Sequence, residues 1–353
     1  MDETPTRWSF RDIFLSLGIA ADPALLALSF LGLSTGSVAY GFFYFLGSAT
    51  GEPTALSIFA ILGGIVFIVL WILTSGILAR MVVVRLLEGR QASADEVQEY
   101  LSHRAGTLLL IPLTFAVVVL VALGGLGILE IIGRIPGPGP ILFGAAFSLA
   151  FLLSLVAVLA FILHTLGGLF YPAILATRKG GLLEVVGEIL DLARQKGPLL
   201  VVYSLVILAA GSASAILIGS VASAALALTT ASAHGIMGQG FSDILAGLPS
   251  IFRPFLELFD SALGPLPVDT DVAWHYDLGG FLVGLSLLTI FAACAAYPFA
   301  LINSAGVIAY FILSTKPLPD TAPLPGETVE EEPLGEPPSE KDDLFSDPDD
   351  EPF

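Results

Sequence analysis

The chain has 353 residues, 55% hydrophobic and only 13% charged, with a mean hydropathy of +0.88. Soluble domains carry about 25% charged residues and have enough polar surface to cover their cores. A soluble enzyme is therefore excluded, and an all-α, polytopic transmembrane helix bundle is expected. The formal net charge of −18 is unevenly spread. Residues 317–353 hold 13 of the 32 acidic residues, a single base (Lys341) and nine prolines, which is the composition of a disordered acidic Pro-rich tail. The remaining 316 residues carry 13 bases and 19 acids with no basic patch, so no nucleic-acid partner is expected. The lone cysteine, Cys294, sits in an apolar run and reads as a packing residue.

Residues 1–22 begin Met1-Asp2-Glu3, without a basic leader or a small-residue cleavage site. Trp8, Arg11, Phe14 and Leu17 fall at helical spacing and predict either an N-terminal interfacial helix or a mere lead-in to the first span. The membrane domain, 23–316, contains six spans: 23–47, 55–78, 107–129, 141–170, 198–228 and 278–313. The last would be roughly 54 Å long as a straight helix, nearly twice the hydrocarbon thickness. A single span kinked at Pro298 is expected there rather than two spans.

Between the second and third spans, residues 80–104 predict a surface amphipathic helix, with Ser93 as N-cap and Glu96 completing a capping box. Residues 181–196 predict a second surface helix. Leu182, Val185, Val186, Ile189, Leu190 and Ala193 form its apolar face, and Glu184, Glu188, Asp191 and Arg194 its polar one. Both serve either as docking surfaces for protein partners or as connectors. Ile135 to Pro140 (IPGPGP) makes a rigid turn. Segment 229–277 is the one long outer loop. Phe241, Ile244, Leu245, Leu248, Ile251, Phe252, Phe255, Leu256 and Phe259 predict a cap lying in the headgroup region, broken at Pro249 and Pro254. Trp274, His275 and Tyr276 read as an aromatic anchor.

Polar groups at membrane depth mark candidate chemistry. Glu130 and Arg134 stand four apart at the end of the third span, where a helix would pair them. With His164 and Asn303 they make a candidate polar path. Asn303 and Ser304 are expected to bridge helices. The spacings of His103, His164, His234 and His275 match no metal motif, and no phosphate loop or activated nucleophile is present, so no cofactor is expected. Gly32 with Gly36, Gly280 with Gly284, and Gly211-Ser212-Ala213-Ser214 signal close helix packing and allow a homo-oligomer.

Phe10-Arg11-Asp12-Ile13-Phe14 through Ala21-Asp22-Pro23, then IPGPGP-IL, then Tyr171-Pro172-Ala173-Ile174, then Gly197-Pro198-Leu199 form an ordered set. In it the chain resembles uncharacterised multi-pass membrane proteins of planctomycete-type bacteria over residues 8–316. It departs from their pattern at Ala176-Thr177-Arg178-Lys179 and at Glu188-Ile189-Leu190. The resemblance implies six spans, a bacterial inner-membrane location and no particular activity.

With the N-terminus inside, 12 of the 14 lysines and arginines are cytoplasmic, and only Arg134 and Arg253 lie outside. Both termini are then cytoplasmic. The expected role is a non-enzymatic scaffold or accessory subunit in the lipid bilayer, engaging protein partners through its cytoplasmic helices and acidic tail. The alternative is a permease or channel for a small solute or ion.

Overall fold

In the computed structural model the described residues are 8–178, 180–252 and 274–314. The acidic tail, the second half of the outer cap and residues 1–7 lie outside them.

A 3₁₀ turn (Phe10–Phe14) leads into α1 (Leu15–Ala20). Then follow α2 (Pro23–Ser48), α3 (Pro53–Glu88), α4 (Ala94–Gly133), α5 (Gly139–Gly167), α6 (Tyr171–Thr177), α7 (Leu182–Met237), α8 (Gln239–Ala246) and α9 (Trp274–Leu313). Six of them, α2 to α5, α7 and α9, are long and apolar enough to cross a membrane. The most apolar window of α3 has a hydropathy of 2.8 yet is only 6% buried. Water would not tolerate such an exposed face; hydrocarbon does. The protein is a polytopic helical membrane bundle.

Local chemistry sets the boundaries. Asp22 caps α2, its Oδ1 accepting from the Ala24 amide at 2.8 Å, and Pro23 supplies the preset first-turn geometry. Gly89, with φ +67°, ends α3 in the left-handed conformation that a Cβ would penalise. Four residues later the expected capping box opens α4. The Glu96 amide donates to Ser93 Oγ at 3.2 Å, and Glu96 Oε2 accepts from the Ser93 amide at 2.8 Å. The rest of the reading for 80–104 is corrected. There is no separate surface helix, because 80–88 are the last turns of α3 and 94–104 the first turns of α4. Nothing between them except Gly89 and the residues up to Ser93 interrupts helical hydrogen bonding.

Arg90 also grips Glu96, its NH1 donating to Oε2 at 2.8 Å. That hydrogen bond, with the Ser93 amide behind it, holds the Glu96 carboxyl down at about 2. A depressed carboxyl contributes stability that is complete above its ordinary value of 4.5 and lost as the pH falls toward 2. Protection of the amides at residues 94–98, taken relative to their intrinsic exchange rate at each pH, should therefore fall between pH 5 and pH 2. In Glu96→Gln that protection should already be low and independent of pH over that range.

Residues 274–313 form one uninterrupted helix that contains Pro298, so the single-span expectation holds. In contrast, the predicted surface helix 181–196 and the fifth span are joined as α7. Their only break is the non-helical backbone of Lys196 (φ −132°, ψ 28°), two residues before Pro198. The cap is also corrected in part. Phe241, Leu245, Leu248 and Phe252 are buried against Leu287 and Leu288 of α9, so these side chains face the bundle rather than the headgroups. Gly280 lets the Gly247 backbone come close, and Gly41 does the same for the Ile251 carbonyl.

The hairpin α2–α3 packs on α9, which also packs on α6 and α7, while the hairpin α4–α5 is tied in through α3, α6 and α7. The central cluster gathers Leu78, Val82, Leu108, Ile111, Ile174, Ile189 and Tyr310. All seven residues of α6 are buried, so this short helix is a plug at the end of the bundle where the arginines collect. The N-terminal segment crosses the same end. Trp8 stacks on Phe311 (5.5 Å) and Phe10 on Tyr203 (5.7 Å), while Phe14 is 61% exposed. One face packs on protein, and the other carries the exposed Phe14, Leu15 and Leu17.

Candidate functional site

Five basic residues that the sequence places at helix ends converge on this arginine-rich end, each on a partner far away in the chain. Arg85 of α3 pairs with Asp22, the α2 cap. Arg80, one turn and a half earlier, donates to the Ala176 carbonyl at 3.2 Å, and Arg104 of α4 to the Gly180 carbonyl at 2.7 Å. Cations at the C-terminus of α6 also complement its dipole. Lys196 donates to the Leu313 carbonyl at 2.8 Å, closing the end of α9 over the α7 kink.

At the centre stands a three-residue cluster. The Tyr310 hydroxyl donates to Glu188 Oε1 at 2.6 Å. Arg178 Nε lies 2.9 Å from Glu188 Oε2 and donates to Tyr310 Oη at 2.8 Å. A further guanidinium nitrogen of Arg178 reaches Ser314 Oγ at 3.3 Å. Glu188 keeps only 8% of its side-chain surface and Arg178 22%. Two charges are thus withdrawn from water and compensated by each other and by a phenol, the condition under which a buried pair is tolerated. The triad fastens the first part of α7 to the last span. Beside it lies a cavity of about 360 Å³ lined by Arg178, Gly180, Glu184, Glu188 and Asp191.

The candidate polar path is distributed differently. Glu130 and Arg134 are both exposed at the far end of α4, and the expected ion pair between them is not formed. His164 is half-buried, its ring 6.1 Å from that of Phe115. Phe115 precedes Glu130 by fifteen residues, about 22 Å along the helix. Asn303 is buried and donates to the Phe299 carbonyl of its own helix at 2.8 Å, so it does not bridge helices. The Ser304 hydroxyl is fully buried without a hydrogen-bond partner among the described residues. No hydrogen bond or ion pair joins any two of these four residues.

Sequence reasoning placed Glu188 on a solvated polar face. The structure turns that face inward by part of a turn, burying Val185, Glu188, Ile189 and Leu192 and leaving Leu190 46% exposed. One signal could have found the site. Glu188 sits at i+4 from Glu184 among residues with an apolar stripe on either side, so a bundle that buries the stripe must enclose one carboxylate. Its partners Arg178 and Tyr310 are 10 and 122 residues away, and only the fold reveals them. Among the described residues no group of three His, Cys, Asp or Glu could hold a metal ion. Comparison with family models, curated proteins and solved structures finds no match to the chain.

Proposed function

We propose that the protein is a non-enzymatic scaffold or accessory subunit of a membrane complex, docking a protein partner on the first part of α7. The observation that carries this is a surface arm, Leu182 to the Lys196 kink, held rigid by Arg178–Glu188–Tyr310 while its outer face stays bare. On that face Leu183 is 84% exposed and Leu190 46%, beside the exposed carboxylates Glu184 and Asp191. Apolar anchors two turns apart with a charged rim suit a helix or groove of a partner. A permease would need Glu130, Arg134, His164 and Asn303 to line one conduit, and their placement supports that reading less.

The test is site-specific photo-crosslinking at Leu183 and Leu190 in native membranes. The expected result is one discrete protein adduct at both positions, lost in Leu183→Glu with Leu190→Glu while the melting temperature holds. Adducts with lipid alone would overturn the docking reading.

The arm faces the cytoplasm of a bacterial inner membrane in this reading, because the arginine-rich end takes the side favoured by the positive-inside rule. Cysteine labelling should find Arg90, Gly180 and Glu340 positions accessible from the cytoplasm and Thr50, Pro138 and Phe255 from outside. Labelling of both groups from one side would refute the six-span topology.

A further inference from the structure

Arg80 and Arg104 differ from Arg85, Arg90 and Arg178 in one respect. Arg85, Arg90 and Arg178 each have a carboxylate partner within 4.0 Å, whereas among the described residues Arg80 and Arg104 have none. Arg80 is only 8% exposed, yet of its five N–H donors a single one is engaged, on the Ala176 carbonyl. Arg104 is half-buried and likewise engages only the Gly180 carbonyl. One turn before Arg104 on α4 stands Tyr100, 5% exposed, whose hydroxyl is buried with no hydrogen-bond partner among the described residues. Tyr171 of α6, 6% exposed, completes the group.

A buried guanidinium without a counter-charge and a buried hydroxyl without a partner are each costly. Here they are neighbours, drawn from α3, α4 and α6, and the deficits complement one another. Two positive charges and one hydroxyl lack an anion with several acceptor oxygens. A carbonyl at a helix C-terminus offsets part of the charge, but it accepts only one of each arginine's donors. Gly180, whose carbonyl holds Arg104, is one of the residues lining the 360 Å³ cavity.

We infer that Arg80, Arg104 and Tyr100 form a binding site for a phosphate-class anion, presented either by a phospholipid headgroup or as free phosphate. Planar guanidinium forks match phosphate oxygens two at a time, and a phenol donates to a third.

The experiment uses the full chain purified in a non-ionic detergent in chloride buffer, with melting temperature followed against inorganic phosphate and, separately, against dihexanoyl phosphatidic acid. A saturable rise with either probe supports the site. A rise with the lipid alone identifies a headgroup, and equal rises identify free phosphate. Tyr100→Phe, which keeps the packing, and Arg80→Gln should each weaken the apparent affinity at least tenfold, while Arg134→Gln at the far end leaves it unchanged. No response to either probe, or a response in Tyr100→Phe and Arg80→Gln equal to that of the unaltered chain, would overturn the assignment. So would a fall in melting temperature on deleting 315–353 that equals the effect of Arg80→Gln, because the chain's own carboxylates would then fill the site.

Discussion

Glu188→Ala should destabilise the bundle by about 3 kcal/mol, because it strands the Arg178 guanidinium and the Tyr310 hydroxyl in a site that excludes most water. The lower end of the range for breaking a buried pair applies, since Arg178 retains 22% of its side-chain surface and can turn toward solvent. The loss should appear as a lowered melting temperature in detergent and as faster hydrogen exchange over 182–195. Replacing the whole pair, Glu188→Leu with Arg178→Met, should recover most of it, since apolar side chains of similar volume carry no desolvation cost. If the single variant melts like the unaltered chain, the pair is a surface contact and the arm is held by packing alone.

An equally large effect is expected from Gly306→Val. A Cβ at Gly306 would overlap the Leu169 carbonyl oxygen, a backbone atom in the turn that feeds α6, and backbone cannot rotate aside as a flexible side chain can. The cost should reach about 3 kcal/mol, the upper part of the overpacking range. It should be local: exchange over 169–178 rises first, because α6 is buried on every side and must leave with its turn. Gly219→Ala makes the matched control. Nothing lies within 4 Å of a Cβ there, so the change should be neutral or stabilising by up to about 1 kcal/mol. Equal melting of Gly306→Val and Gly219→Ala would show that α9 and the turn do not touch.

The membrane character and the number of spans could be read from composition and apolar runs, since hydrocarbon imposes a length and polarity rule on each segment separately. The Ser93–Glu96 box was legible for the same reason, being a contact three residues apart. What the sequence concealed depends on long-range packing. Residues 80–104 look like one amphipathic surface helix in the sequence. In the fold Ala176 and Asp22 receive Arg80 and Arg85, and α3 runs on. Phe241 and Phe252 looked membrane-seated because an apolar face does not announce whether lipid or protein will cover it; α9 does so here. The pairing of Glu130 with Arg134 failed although their spacing suited it, since an exposed ion pair gains little over two hydrated charges.

The break at Lys196 has a mechanical corollary. A continuous helix of 56 residues would pass strain along its own ladder of hydrogen bonds, but at Lys196 that ladder is relaxed. The arm's attachments instead run sideways, through Glu188 to Tyr310 and from Lys196 to the Leu313 carbonyl. Tension applied to the arm is therefore shared between the fifth span, which the backbone still joins, and the final turn of α9, to which Glu188 and Lys196 tie it. Whatever pulls on Leu183 also pulls on the root of the acidic segment, so the two are linked as a lever is to its tether.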